Sequence, residues 1–234
     1  GLGGGVVPDA FMILSRIISS FHNDKGELLI EGLTPTEQDV FELSDEFVKS
    51  SLSSTGVNLF EMDSYSKRLW LEPALSILAI DAPPVAESVN LLIPKAKAKI
   101  SLRLPPTEDP DHAMNMLEQH IKENTPFNAN VKFIPEAKGK GILVDPKNEF
   151  SSKLIESFNK HWENDVAYMG VGGSIPFANV FINEFPNSEI VLVGAGDEEG
   201  NAHAPNESVN ISDIQRLIDC LLYTSPSPRD GTKS

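Results

Sequence analysis

Between Ala96 and Leu104 the chain alternates strictly. Ala96, Ala98, Ile100, Leu102 and Leu104 are apolar, and Lys97, Lys99, Ser101 and Arg103 stand between them. Successive side chains of an extended strand point to opposite faces, so a period of two predicts a strand with one face on a core and one in water. Pro105, Pro106 and Pro110 end it. Such a strand needs an apolar cover, and its flanks supply one. Pro8 to Phe21 puts Phe11, Leu14, Ile17, Ile18 and Phe21 on one helical face, with Pro8 in the first turn. Asp109 to Asn124 reads as a second amphipathic helix with Met114, Met116, Leu117 and Ile121 inward. Trp70 to Ile80 and Ala129 to Ile134 read as further strands. The order helix, strand, strand, helix, strand predicts an α+β layer with helices on one face of an antiparallel sheet.

Other segments fit around this layer. Asn23-Asp24-Lys25-Gly26 is a turn leading to Leu28, Leu29 and Ile30. Thr34 to Leu59 is polar and helical in tone, with Thr34 as cap and Pro35 behind it. Asp81 to Pro84 breaks the strand before it, and Leu91 to Ile93 is a short apolar run. Lys138-Gly-Lys-Gly141 marks a boundary. Beyond it, helices are expected over Glu149 to Trp162 and Ile175 to Phe185. A short buried strand follows over Ile190 to Val193, then a polar loop over Gly194 to Asn206 and a closing helix over Ile211 to Leu222. That order suits the last piece of a larger α/β domain.

Composition narrows the function. The 234 residues carry a net charge of -15, with 40% hydrophobic and 23% charged residues, the profile of a soluble globular protein. So negative a chain repels a phosphate backbone and an anionic membrane surface, so neither nucleic acid nor membrane is an expected partner. No apolar run reaches the ~20 residues that a spanning helix needs. The single cysteine, Cys220, excludes an internal disulfide and every multi-thiolate zinc finger, and it favours a reducing, cytoplasmic setting. The cluster Gly1, Gly3, Gly4 and Gly5 makes a poor mature N-terminus, and these first residues do not read as a signal peptide, since no basic stretch precedes an apolar core. At the other end, Tyr223 to Ser234, with two Ser-Pro pairs, reads as a disordered, non-native tail. The expectation is a fragment.

Three places could carry chemistry. The loop Val193 to Glu207 follows a buried strand, where α/β folds bind ligands, and it holds His203 near Asp197, Glu198 and Glu199. Imidazole is the commonest zinc ligand, but one histidine cannot complete a site, and a loop or capping histidine beside a solvated acidic turn is the plainer alternative. Gly172-Gly173-Ser174-Ile175-Pro176 is no nucleophile elbow, because Pro176 stands where the second glycine belongs. Its hydroxyl and backbone N–H groups could meet an anion, or Ser174 could simply cap a helix. Arg103 lies on the polar face of its strand, where a guanidinium could clamp a carboxylate or stand solvated. The opening glycines lack the sequence of a phosphate loop.

Together these pieces resemble the aminoacylase/carnosinase/carboxypeptidase superfamily of two-zinc metallopeptidases. Gly1-Leu-Gly-Gly-Gly-Val-Val-Pro8 looks like the tail of its His-Ser-Gly-x-Phe-Gly-Gly motif. Asn90 to Arg103, Gly172 to Pro176 and Asn201-Ala-His-Ala-Pro-Asn-Glu207 follow in the family's order. The resemblance extends to about Leu222. It implies a lid domain that makes the dimer contact, residues 1–141, then the C-terminal segment of the catalytic α/β domain, residues 142–222, with residues 223–234 as the tail.

The resemblance also implies roles. His203 matches a zinc-binding histidine. Arg103 matches the lid arginine that grips the substrate carboxylate or the tetrahedral oxyanion. Asn90 matches a lid asparagine, and Gly173 and Ser174 match the loop that holds the substrate carboxylate. Two zinc ions per complete site are implied, and cobalt and manganese suit the same ligand types. Val171 stands where many dipeptidase members carry glutamate, and Pro94 falls one residue late after Asn90. The implied activity is hydrolysis of a dipeptide or N-acyl amino acid by metal-activated water, as a homodimer, with this fragment alone inactive. The alternatives are a non-catalytic dimerisation or binding module without the zinc ligands, and an anion-binding domain using the glycine loops.

Overall fold

The computed structural model describes residues 2–52, 56–144, 148–162, 165–171, 176–185, 188, 190–196, 200–202 and 204–224. The chain divides into two compact units. One is Gly1–Ile142 with Met169–Ile175, and the other is Leu143–Tyr168 with Pro176–Ser234.

The first unit opens with helix α1 (Ala10–Ser19). Its cap is Asp9, whose carboxylate accepts the Met12 N–H at 2.9 Å, so Pro8 lies ahead of the cap rather than in the first turn. After Phe21 the chain turns back through Gly26, at φ +76, and Leu29 N–H donates to Phe21 O. Among the described residues the stretch from Thr34 is not helical as its polarity predicts, except in α2 (Asp45–Leu52). Thr36 is occupied elsewhere. Its N–H donates to Leu71 O and its hydroxyl bonds Thr107, 2.8 Å each, which ties the segment across the fold. Trp70 likewise ends helix α3 (Tyr65–Trp70) instead of starting a strand. Leu71 and Glu72 N–H groups both return to Lys67 O and close the helix there.

Strands β1 (Ala74–Asp81) and β2 (Lys97–Arg103) pair antiparallel, Ala74 opposite Arg103 and Asp81 opposite Lys97, with an irregularity between Ile77 and Ala79. Helix α4 (Pro110–Glu123) follows. Pro110 starts it rather than merely ending the strand before it, and Asp109 caps it by accepting the Asp111 and His112 N–H groups. The period of two holds on β2, where Ile100 and Leu102 join Leu75, Ile17 of α1, Phe21 just after it, and Leu117 and Ile121 of α4 in one core. Each such large side chain, fully buried, contributes about 1.5–3 kcal/mol. His120 also turns inward, stacked on Phe21 with centroids 5.4 Å apart. Its Nε2 lies 3.1 Å from both Ser20 O and Ser20 Oγ. A carbonyl only accepts, so Nε2 carries the proton there. Ala129 to Ile134 joins no ladder among the described residues, although Phe133 packs on the core; the sheet has two strands. Phe127 and Asn128, at φ +58 and +52, turn the chain just before it.

In the second unit, α5 (Glu149–His161) is capped by Asn148 and packs against α7 (Ile211–Thr224), while α6 (Pro176–Glu184) buries Ala178. Ser157 and Cys220 meet at the α5–α7 contact. Ser157 Oγ donates to Cys220 O at 3.2 Å, and Cys220 Sγ donates to Ser157 O at 3.5 Å. Helix α7 runs two residues past Leu222, so Tyr223 and Thr224 are helical rather than tail; residues 225–234 lie outside the described residues. Ile190 to Val193 is not a buried strand, since Leu192 and Val193 are exposed and no described strand pairs with them. Among the described residues no helix is long and apolar enough to cross a membrane.

Candidate functional site

Arg103 closes β2 on the face it shares with Lys97, Lys99 and Ser101. The two lysines have carboxylate partners, Lys97 with Asp81 at 2.6 Å and Lys99 with Glu136 at 2.5 Å. Arg103 has none among the described residues. It is half-buried, and its Nε is fully enclosed with no hydrogen-bond partner. A fully solvated arginine would keep that N–H wet, whereas here Nε is held out of water. Burial, and then the charge of Arg68, push the Arg103 pKa down.

Arg68 comes from α3, five residues before Pro73 leads into β1. Its Nη1 donates to Glu72 Oε2 at 2.8 Å and its Nη2 to Gly26 O. The same guanidinium, behind a larger effect of burial, also lowers the pKa of His22, which bridges to Leu28 just past α1. The charge of Arg68 thus acts on both Arg103 and His22, and Glu72 balances it. A half-buried, unpaired cation is unfavourable until an anion meets it, and a guanidinium meets a carboxylate with two parallel bonds. Neither Arg68 nor His22 stands out in the sequence. The i,i+4 spacing of Arg68 and Glu72 is the one signal that could have found the pair.

Asn90 lies elsewhere. It is exposed in the connection between β1 and β2, which leaves the ladder at the Asp81–Lys97 end, whereas Arg103 stands at the opposite end. Nothing joins the two by a hydrogen bond. Gly173, Ser174 and His203 lie outside the described residues, as do Asp197, Glu198 and Glu199. Among the described residues no group of three or more His, Cys, Asp or Glu side chains could hold a metal ion, so these residues do not by themselves fit a zinc site.

The chain is 28% identical over 224 residues to the cysteinylglycine-S-conjugate dipeptidase of Corynebacterium striatum, covering 92% of this chain and 48% of that protein. It is 25% identical to the Cys-Gly metallodipeptidase DUG1 of Saccharomyces cerevisiae, covering 98% and 51%. The chain therefore spans about half the length of these curated relatives. Among solved structures, the dipeptidase Dug1p of Saccharomyces cerevisiae superposes with a TM-score of 0.77 at 24% identity, covering 97% of this chain and 51% of that one. Human carnosine dipeptidase 1 gives 0.72 at 19% identity, covering 96% and 50%. These likenesses show that the mixed helix-and-sheet fold expected from the sequence is that of M20 peptidases. Residues 1–129, more than half the chain, match the M20 family model described as a peptidase dimerisation domain, and the chain belongs to the M20 peptidase dimerisation family.

Proposed function

We propose that this chain is part of a metal-dependent peptidase that hydrolyses dipeptides of the Cys-Gly kind or N-acyl amino acids. In this reading residues 1–141 form the lid and make a homodimer, and residues 142–222 belong to the catalytic domain. The observation that carries it is the half-buried Arg103 guanidinium, whose enclosed Nε has no partner among the described residues. Dipeptides and N-acyl amino acids both end in a carboxylate, and amide hydrolysis develops an oxyanion; a guanidinium held out of water suits either. Membership of residues 1–129 in the dimerisation family and the dipeptidase relatives support the same reading.

The roles follow. Arg103 binds the carboxylate or the developing oxyanion, and Asn90, Gly173 and Ser174 add substrate contacts. His203 supplies one metal ligand, the others coming from residues outside the described set. Zinc, for which cobalt or manganese could substitute, would supply an activated water. No step of that chemistry is assigned to the described residues.

The test is hydrolysis of Cys-Gly and of an N-acyl amino acid by the intact protein, before and after chelation. Activity should fall at least 100-fold with chelator and return with zinc, cobalt or manganese. Hydrolysis that resists chelation would overturn the reading, and a stable dimer with no hydrolysis would favour the non-catalytic dimerisation module.

A further inference from the structure

The apolar face of the sheet outruns its cover. Residues of α1 and α4 pack with Leu75, Ile100 and Leu102, towards the Arg103 end of the ladder. Residues directly opposite each other share a face. Ile77 stands opposite Ile100 and Ile80 opposite Ala98, so both continue the core face towards the Asp81–Lys97 end. There Ile80 is 45% exposed. Beyond that end the connection between the strands adds Val85, Val89, Leu91 and Leu92, all exposed, Val85 by 92% and Leu91 by 70%. The turn before α1 adds Val6 and Val7.

Backbone bonds join these segments. Glu87 N–H donates to Pro84 O and Ser88 N–H to Val85 O, which closes a tight turn, and Leu91 N–H donates to Val89 O. Ala10 N–H, at the start of α1, donates to Ile93 O at 2.9 Å and ties the connection to the helix. The Val6 and Val7 N–H groups both return to Gly3 O. A Cβ on Gly3 would stand 3.4 Å from Leu92 Cδ1 and 3.6 Å from Val7 Cγ2, so the turn and the connection form one surface. That surface is nearly uncharged. No side chain in residues 1–8 carries a charge, and Glu87 alone does so in residues 82–94, in a chain with 23% charged residues. A contiguous apolar patch of this kind marks a place where something binds.

We infer that the β1–β2 connection, with the Val6–Val7 turn beside it, is the face through which two copies of this chain associate, patch to patch about a two-fold axis. Each copy carries a net charge of -15, so two copies repel, and contact is least opposed where charge is absent. The cores of protein–protein interfaces are depleted in charge in the same way. Every residue of the surface lies within residues 1–129, which match the peptidase dimerisation model. Burying a Val or Leu is worth about 1.5–3 kcal/mol, or roughly 60–120 Å² at about 25 cal/mol per Å². Several such side chains on each copy reach the order of the ~800 Å² per partner of a standard interface. Arg103 stands six residues along β2 from Lys97, about 20 Å at ~3.3 Å per residue, so the contact leaves it clear. The inference deepens the homodimer proposed above and rests on it.

The experiment is sedimentation equilibrium of the intact protein, native and with Val85→Asp and Leu91→Asp together. The native protein should be a dimer, and the double variant should raise its dissociation constant at least 100-fold. Phe127→Asp, at an exposed apolar residue outside the surface, should leave the dimer within threefold of native. A native dimer that the double variant leaves intact would overturn this face and spare the homodimer, and equal loss in Phe127→Asp would overturn the face as well. A native monomer would overturn the homodimer itself and this inference with it. Where the double variant fails to fold, benzoylphenylalanine at Val89 serves instead. Irradiation should join two copies. A cross-link confined to one copy would show that another part of the same protein covers the surface, and no cross-link would show it open; either result overturns the inference.

Discussion

Arg68 and Arg103 are like charges, the Arg68 guanidinium helping to push the Arg103 pKa down, and among the described residues only Arg68 has a carboxylate, Glu72 at 2.8 Å. Glu72 thus quiets one guanidinium and leaves the other open. Replacing it by glutamine should cost about 1 kcal/mol of stability, since the pair is mostly buried. The neighbourhood also becomes more positive, so a free amino acid acting as product inhibitor should bind several-fold tighter in Glu72→Gln. Thermal unfolding and inhibition constants check the two effects, and weaker inhibition would contradict them.

His22 makes stability depend on pH. Burial first, and then Arg68, hold its pKa below the ordinary value in the folded protein. The unfolded chain therefore binds the proton more readily, and stability falls as pH drops through about 6.5 towards the lower folded pKa. Below that folded pKa the loss is complete. Between pH 7.5 and 5 the Tm of the native protein should fall more than that of His22→Gln. Parallel falls in the two would show that His22 contributes nothing.

Cys220 has no solvent access, and burial pushes its thiol pKa up. Thiolate is the reactive form, so Cys220 should resist alkylation in the native protein and react only on unfolding. Ser157→Ala removes the hydroxyl bond to Cys220 O across the α5–α7 contact and should cost about 1 kcal/mol. A thiol that reacts at once in the native state would contradict this packing.

Asp109 caps α4 with two backbone bonds. The His112 N–H bond, the larger cause, holds its carboxyl below the usual range. Asp109→Ala should lower the urea midpoint at pH 7. Because the folded pKa is depressed, that difference is present above the unfolded carboxylate pKa and disappears as pH falls through the folded one. Urea unfolding at pH 7 and pH 3 measures it; an equal cost at both would contradict the charge-based part.

The layer around β2 was legible because its periods are clean: two on Ala98, Ile100 and Leu102, and helical on Leu117 and Ile121. The segment after Thr34 misled because its polar tone comes from bonds to distant partners, Leu71 and Thr107, which no local pattern reveals. Trp70 misled because an apolar aromatic beside a strand fits the end of a helix equally well. Ile190 to Val193 looked like a strand from composition alone, but a strand exists only with a partner. Arg103 could be found by its place in the alternation. The charges around it could not, since Arg68 and His22 arrive from separate elements.

The most direct test of the account is the kinetics of Arg103→Met in the intact protein, beside Arg103→Lys. Methionine keeps the packing and removes the charge. kcat/KM for the dipeptide should fall at least 100-fold, about 2.7 kcal/mol of transition-state stabilisation. The unfolding midpoint should hold or rise, because an unpaired half-buried charge is gone. Lysine, a point charge without the two-pronged geometry, should recover only part of the loss. Unchanged kinetics in Arg103→Met would contradict the claim that this guanidinium meets the substrate.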